Sequence, residues 1–153
     1  MEIESLLARH EGKSLEFKRD ASSVAGIVRT VVAFANSAGG VVLVGVADRT
    51  REVVGVPDPL DCEERLASII ADSIEPRIAP EIDIVAWRDT ALLAIRVHPG
   101  SSRPYWVKKD GPVNGVYVRI GSTNRVADGP MIAELGRSAA GRSFDEEPMT
   151  SLR

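Results

Sequence analysis

A short charged segment near the start of the chain holds the residues best suited to do chemistry. The sequence EGKSLEFKRD, residues 11–20, combines two carboxylates with three cations: Glu11, Glu16, Lys13, Lys18 and Arg19. Such a mixture has three interpretations: a solvated strand edge, a grip on a phosphate backbone, or part of a metal-dependent cutting site. Taken alone, the segment does not choose among them.

A second group of cations lies in residues 103–125, where five basic residues meet one acidic residue. Residues 58–83 have the opposite balance, with eight acidic residues against two arginines. This asymmetry allows one face to attract an anionic partner, although two ordinary solvated faces would give the same composition. The candidate phosphate contacts are Lys18, Arg19, Arg103, Lys108, Lys109, Arg119 and Arg125.

The segment IGSTN, residues 120–124, adds hydrogen-bond donors between two of these arginines. Backbone N–H groups and polar side chains there can donate to phosphate oxygens, and the candidates are Ser122, Thr123 and Asn124. Arg119 stands between two apolar strand residues, so a structural salt bridge competes with phosphate contact at that position. Tyr105 and Trp106 can stack on unpaired bases, but burial as an edge-strand plug is the favoured interpretation.

Hydrophobic periodicity predicts the elements that position these side chains. Leu15 and Phe17 alternate with Glu16 and Lys18, which is typical of a half-buried strand. Residues 24–35 repeat at helical spacing, and the following SAGG predicts a helix stop. The other predictions are an opening helix at 3–10, a buried strand at 39–48 with a hairpin partner at 52–56, a helix at 61–76, a strand pair at 82–97, an edge strand at 103–108, a strand at 115–121 and a closing helix at 131–141.

This order predicts one α+β (mixed α/β) domain over residues 1–140, with a central mixed sheet and about four helices. Residues 141–153 are predicted to be a flexible tail or the start of a linker. The longest apolar run is too short to span a bilayer and the first residues are too charged for a signal peptide, so we expect a cytoplasmic protein without a membrane partner. One cysteine and two histidines are too few for a zinc site. The phosphate-binding motif GxxxxGK[ST] does not occur, so we predict no ATP site in this chain.

Four motifs, in the same order, resemble the Schlafen-type AlbA domain, a nucleic-acid-binding module: EGKSLEFKRD, VVAFANSAGGVVLVGVAD, EVVGV and GVYVRIGSTNRVAD. The resemblance runs from about Glu11 to about Leu135 and implies an α/β domain distantly like the archaeal chromatin protein Alba. In prokaryotes such domains often precede an ATPase-like or winged-helix region of transcriptional regulators. The resemblance therefore implies that a C-terminal domain of the same protein lies beyond this chain.

The resemblance also implies a candidate catalytic centre. Nuclease members of the Schlafen group use a Glu, a second Glu five residues later and an Asp after the following apolar strand, and the matching residues are Glu11, Glu16 and Asp48. Such a triad would hold Mg²⁺ or Mn²⁺, provided that strand 39–48 neighbours the strand of Glu16. Those nucleases join two lobes and carry zinc, whereas this chain offers one lobe, so we expect a homodimer.

The first functional prediction is a nucleic-acid-binding module of a transcriptional regulator, acting on DNA or RNA mainly through the phosphate backbone and without a cofactor. One alternative is a metal-dependent endoribonuclease that uses the three carboxylates. The other alternative is a protein-interaction or dimerisation domain.

Overall fold

The computed structural model describes residues 3–146, with side chains through residue 138. Its helices are α1 (Ile3–Leu7), α2 (Val24–Ala35), α3 (Pro59–Ser73), α4 (Gly111–Asn114) and α5 (Gly129–Glu146), and a single 3₁₀ turn covers Lys108–Asp110. Its strands are β1 (Leu15–Lys18), β2 (Gly40–Val44), β3 (Ile74–Glu75), β4 (Glu81–Trp87), β5 (Thr90–Val97), β6 (Trp106–Val107), β7 (Tyr117–Ile120) and β8 (Thr123–Val126). The predicted α+β class is confirmed.

Four strands form the central sheet in the order β1-β2-β5-β4. β1 runs parallel to β2, whereas β5 is antiparallel to both of its neighbours, so the sheet is mixed as predicted. Because β2 has a strand on each side and is buried along nearly its whole length, its sequence is an unbroken apolar run. β1 is an edge strand and alternates buried with half-buried side chains.

The two faces of the sheet bury separate cores. On one face, Val31 of α2 and Leu66 of α3 share a cluster with Val42 of β2. On the other face, Leu6 of α1 shares a cluster with Leu43 of β2 and the odd-numbered residues of β1. The even-numbered residues of β1, which carry its charges, therefore face α2.

The end of α2 explains the AFANSAGG motif. Gly39 has a φ of +81°, and its N–H donates to the Phe34 carbonyl at 2.9 Å, a left-handed helix end that favours glycine. The Asn36 side chain is buried, donates to the carbonyls of Tyr105 and Tyr117, and accepts the N–H of Tyr105. The predicted helix stop is confirmed, and Asn36 joins α2 to two distant segments.

Two predicted elements differ in the structure. Residues 52–56 form only an isolated bridge, between Val46 and Val53, because β5 occupies the position beside β2. The segment after Ile120, predicted as a turn and loop, instead returns as β8 and pairs with β7. The side chains of β8 are mostly exposed and polar, so no apolar alternation marked it as a strand.

The closing helix α5 is longer than predicted, since it continues to Glu146, past the proposed domain boundary at residue 140. The remainder of the predicted tail, residues 147–153, lies outside the described residues. Among the helices that the structure describes, none combines the length and apolar character needed to cross a membrane.

Candidate nucleic-acid interface

The charged residues of β1 lie against the start of α2 and the loop that follows β2. The N–H groups of Gly45 and Val46 donate to the Lys18 carbonyl at 2.7 and 3.1 Å, so the ends of the two parallel strands are held together. Asp48 follows two residues later. The predicted neighbourhood of β1 and the buried strand is therefore confirmed, and it brings Asp48 toward the β1 carboxylates.

The Glu11 side chain binds the backbone at the exposed edge of β1. Its Oε2 accepts the Phe17 N–H at 2.8 Å, a donor that has no strand partner at the sheet edge. Burial raises the pKa of Glu11 above the usual value for glutamate, and the charges of Glu16 and Asp48 raise it further, while the Phe17 N–H and the Arg119 charge oppose the shift. The three carboxylates thus lie close enough to interact electrostatically.

Both carboxylate oxygens of Glu16 are occupied by cations. Oε1 lies 2.9 Å from Nη2 of Arg119, and Oε2 lies 3.2 Å from Nζ of Lys18. Within residues 3–138, no three Asp, Glu, His or Cys side chains form a group that could hold a metal ion. The arrangement does not fit the Mg²⁺ or Mn²⁺ that a carboxylate triad would need, because protein cations already neutralise Glu16.

Arg119 lies beneath the surface and holds the β7–β8 hairpin to the loop before β1. Its side chain is 0% exposed. Nε and Nη2 donate to the Gly12 carbonyl at 3.0 and 2.8 Å, and Nη2 also donates to the Leu15 carbonyl at 3.2 Å. The guanidinium carbon lies 5.0 Å from the centre of the Phe34 ring. These contacts agree with the structural salt-bridge alternative for Arg119, because its donors are used inside the domain.

Asn124 shares this internal role. Its Oδ1 accepts Nη1 of Arg119 at 2.8 Å, and its Nδ2 donates to Oγ1 of Thr30 on α2 at 3.0 Å. The Asn124 amide is therefore also used inside the domain, and its phosphate contact stays a prediction. By contrast, Ser122, Thr123 and Arg125 are exposed on the same hairpin. The Thr123 hydroxyl donates to the Ile120 carbonyl at 2.8 Å and accepts a hydrogen bond from Nε of Arg125 at 3.3 Å.

Gly26, in the first turns of α2, brings two cations together. A Cβ on this residue would lie 3.0 Å from Oγ of Ser23, 3.3 Å from Nζ of Lys18 and 3.9 Å from Nη2 of Arg29. Ser23 precedes α2 but makes no capping hydrogen bond through its side chain, so its hydroxyl is also available. The absent Cβ thus lets two cations and a hydroxyl converge on this turn of α2.

Arg29 was missed in the sequence, although one signal pointed to it. It is the single charged residue of α2, a helix otherwise composed of apolar and small residues. No carboxylate forms an ion pair with Arg29 in the described part of the chain, and its side chain is half-buried. Arg29 lies three residues after Gly26, and residues at this spacing share one side of a helix.

The remaining predicted cations lie in different surroundings. Lys108 Nζ is 3.5 Å from Glu75, and Arg103 Nη2 donates to the Ser138 hydroxyl at 3.3 Å. Lys109 is exposed and, within the described residues, has no ion-pair partner; it borders a cleft that Arg29 also lines. Arg19 is exposed directly after Lys18. We call Lys18, Arg29 and Lys109 the basic strip.

The two aromatic residues do not stand free on this surface. Tyr105 is 6% exposed, and its hydroxyl accepts the Ser102 N–H at 3.1 Å. Trp106 is half-buried and packs beside the small cluster formed by β7 and α5. The favoured interpretation, an apolar plug at an edge strand, agrees with this burial.

Comparison with known proteins places the fold. The family profile described as Schlafen, AlbA_2 matches residues 11–128. The DIP2311 protein from Corynebacterium diphtheriae superposes with a TM-score of 0.67 at 22% identity, covering 90% of this chain and 31% of that chain. The N-terminal domain of a RecG-related protein from Nitrosomonas europaea gives a TM-score of 0.61 at 29% identity, covering 80% of this chain and 91% of that chain.

Among curated protein sequences, none matches the chain. The profile nevertheless spans most of the described residues, from the Glu11 carboxylate through the β7–β8 hairpin. Its extent includes both segments that Arg119 holds together, and the two solved structures repeat the same fold. This protein therefore belongs to the Schlafen AlbA_2 family.

Proposed function

We propose that this domain binds DNA or RNA, mainly through phosphate contacts, as the nucleic-acid-binding module of a transcriptional regulator. The observation that carries the proposal is the convergence of Lys18, Ser23 and Arg29 on one side of α2, at Gly26. An ammonium, a guanidinium and a hydroxyl are the donors that proteins use to hold phosphate oxygens.

The local charge supports an anionic ligand. Glu16 forms ion pairs with both Lys18 and Arg119, so two cations share this one carboxylate. Arg29 adds a third cation nearby. Arg119 cannot reach the surface, but its charge offsets Glu16 and leaves Lys18 freer to bind a phosphate. The acidic segment 58–83 forms α3, β3 and the start of β4, and so lies mostly on other elements.

The basic strip extends the contact beyond one phosphate. Arg29 lies beside Lys18 at Gly26 and lines the same cleft as Lys109. Cations from three different segments therefore border one surface, as expected for a protein that follows a phosphate backbone. Arg125 lies apart from this strip, because Asn124 faces Thr30 on α2 and the next residue of the strand points to the other side.

The likeness to the RecG-related protein also supports this proposal. That protein's name refers to a DNA helicase, and its N-terminal domain has the same fold at 29% identity. A module that precedes an enzyme acting on DNA is well placed to hold the nucleic acid.

Salt-dependent binding tests the proposal. Anisotropy of labelled duplex DNA and of labelled tRNA is measured at several KCl concentrations, and three phosphate contacts predict a log–log slope of about −2 to −3. Arg29→Gln should weaken binding to all sequences and reduce the slope by about 1. Arg88→Gln is the control, because Arg88 is exposed and stacks on Trp87 over the other face of the sheet.

Equal behaviour of the two variants would contradict the assignment of the basic strip. Absence of binding to either nucleic acid at low salt would refute the proposed function and favour a protein-interaction domain. The homodimer remains a prediction, which sedimentation of the same samples would test.

The nuclease alternative has its own test. Glu11 lies within electrostatic range of Glu16 and Asp48, but Glu16 already pairs with Lys18 and Arg119, so we expect no cleavage. Incubation of tRNA with Mn²⁺ and either wild type or Asp48→Asn addresses it. Asp48 is exposed, so this variant should fold normally. Cleavage by wild type that the variant loses would support the nuclease, and intact tRNA in both samples would exclude it for this domain.

A further inference from the structure

A cleft of about 390 Å³ opens between α2, α3 and the 3₁₀ turn at Lys108–Asp110. Its deepest lining side chains are apolar, since Val28 and Val107 are 4% and 5% exposed and Ile69 packs against the same core. Clefts of this size with an apolar floor are typical of sites for small organic groups. The floor therefore suits a flat, weakly polar ring.

The mouth of the cleft carries charges of both signs. Arg29 and Lys109 line it and have no carboxylate partner among the described residues. Lys108 lines it too and pairs with Glu75 at 3.5 Å. The carboxylates of Asp72 and Asp110 also line it, and Asp72 is exposed, so its oxygens can accept hydrogen bonds from a ligand. A ligand that satisfies the site needs an apolar ring, an anionic group for the cations and N–H donors for the carboxylate.

A nucleotide carries these three features together. Its base fills an apolar slot, its phosphate pairs with lysine and arginine, and the amino and imino groups of guanine donate to a carboxylate. A fatty acid would place its own negative charge near the Asp72 carboxylate, with no N–H group to donate to it. An apolar peptide would leave Arg29 and Lys109 without an anionic partner. The site also continues directly into the basic strip through Arg29 and Lys109.

We propose that this cleft binds the base of one unpaired nucleotide, with preference for guanine, while the basic strip holds the adjoining phosphates. The inference rests on the proposed function and makes it more specific, because it predicts that single-stranded ends or bulges are preferred over continuous duplex. Free guanosine monophosphate offers the same chemistry as a nucleotide within a strand.

Two labelled substrates test the site: a blunt DNA duplex, and the same duplex with a short single-stranded overhang containing guanine. Wild type should bind the overhang substrate about tenfold more tightly. Ala25→Trp blocks the cleft from an exposed position on α2, and it should abolish this preference while the affinity for blunt duplex and the salt slope stay unchanged. Ala133→Trp, also at an exposed helical alanine, is the matched control and should keep the preference.

Two further arms identify the ligand and guard against misfolding. Asp72→Asn should reduce the preference for guanine over uracil overhangs without affecting blunt duplex. Guanosine monophosphate should compete with the overhang if the free nucleotide also enters the cleft, and failure to compete would restrict the site to nucleotides within a strand. Circular dichroism confirms the fold of each variant.

The outcomes separate the two proposals. Equal wild-type affinity for blunt and overhang substrates would overturn the cleft assignment and leave the basic strip intact. Loss of the preference in both tryptophan variants would also overturn it. No binding to either substrate would refute both proposals together.

Discussion

Replacing Arg119 should cost more stability than any other single change on the β7–β8 hairpin. The guanidinium is fully buried, and Arg119→Met removes its bonds to the Gly12 and Leu15 carbonyls, the Asn124 amide and the Glu16 carboxylate. Methionine fills a similar volume, so the loss of these polar contacts dominates over a cavity effect.

The magnitude follows from the partners that remain. Removing one member of a buried ion pair costs about 3–5 kcal/mol, because the other charge stays buried and unpaired. Here Glu16 is 12% exposed and keeps Lys18 at 3.2 Å, which moves the expected cost toward the lower end. The two carbonyls also lose a charged donor, and this loss adds to the cost. We therefore expect Arg119→Met to cost at least about 3 kcal/mol.

Urea unfolding measures this cost, with Arg125→Met as the matched control. Arg125 lies on the same hairpin but is exposed, so its replacement should change stability by about 0.5 kcal/mol or less. For a domain of this size, the expected loss in Arg119→Met shifts the midpoint by at least about 1 M urea. Equal midpoints for the two variants would refute the buried clamp.

A double-mutant cycle isolates the ion pair. Glu16→Gln removes the carboxylate charge, so in its background Arg119→Met no longer leaves a buried unpaired anion. The double variant should cost less than the sum of the two single variants by about 1 kcal/mol or more. Additive costs would mean that the backbone contacts alone, and not Glu16, account for the stabilisation by Arg119.

Three further predictions concern other positions. Gly26→Ala should weaken nucleic-acid binding, because the new Cβ meets Oγ of Ser23 at 3.0 Å and Nζ of Lys18 at 3.3 Å and displaces both. Since both are ends of side chains that can rotate, the gain in helix propensity offsets this crowding, and stability should change by less than about 1 kcal/mol; anisotropy and thermal melting check the two effects. The raised pKa of Glu11 means that the folded state binds more protons than the unfolded state, so this group's contribution is lost as pH rises above about 4. Urea midpoints of Glu11→Gln relative to wild type should therefore increase between pH 4 and 7. Burial raises the pKa of Cys62, and its thiol should react with an aromatic disulfide reagent only as the protein unfolds, which absorbance follows.

Local patterns in the sequence were sufficient for most individual elements. The alternation in β1, the helical spacing of α2 and the glycine at its end each depend on neighbouring residues, so each could be predicted without the fold. The family was also identifiable from short motifs, and the profile match over residues 11–128 confirms it. β8 was missed because its exposed polar side chains carry no local signal of a strand.

The candidate site was decided by distant contacts. Nothing near Arg119 in the sequence indicates that it lies under Glu16, because their pairing depends on how the hairpin packs against the loop before β1. The polar groups that converge at Gly26 likewise come from separate segments, Lys18 from β1 and Arg29 from α2. The sequence by itself determined which charged residues the protein possesses and which elements carry them. The tertiary structure alone decided which charges are buried as supports and which face a ligand, since burial and pairing are properties of segments brought together by folding.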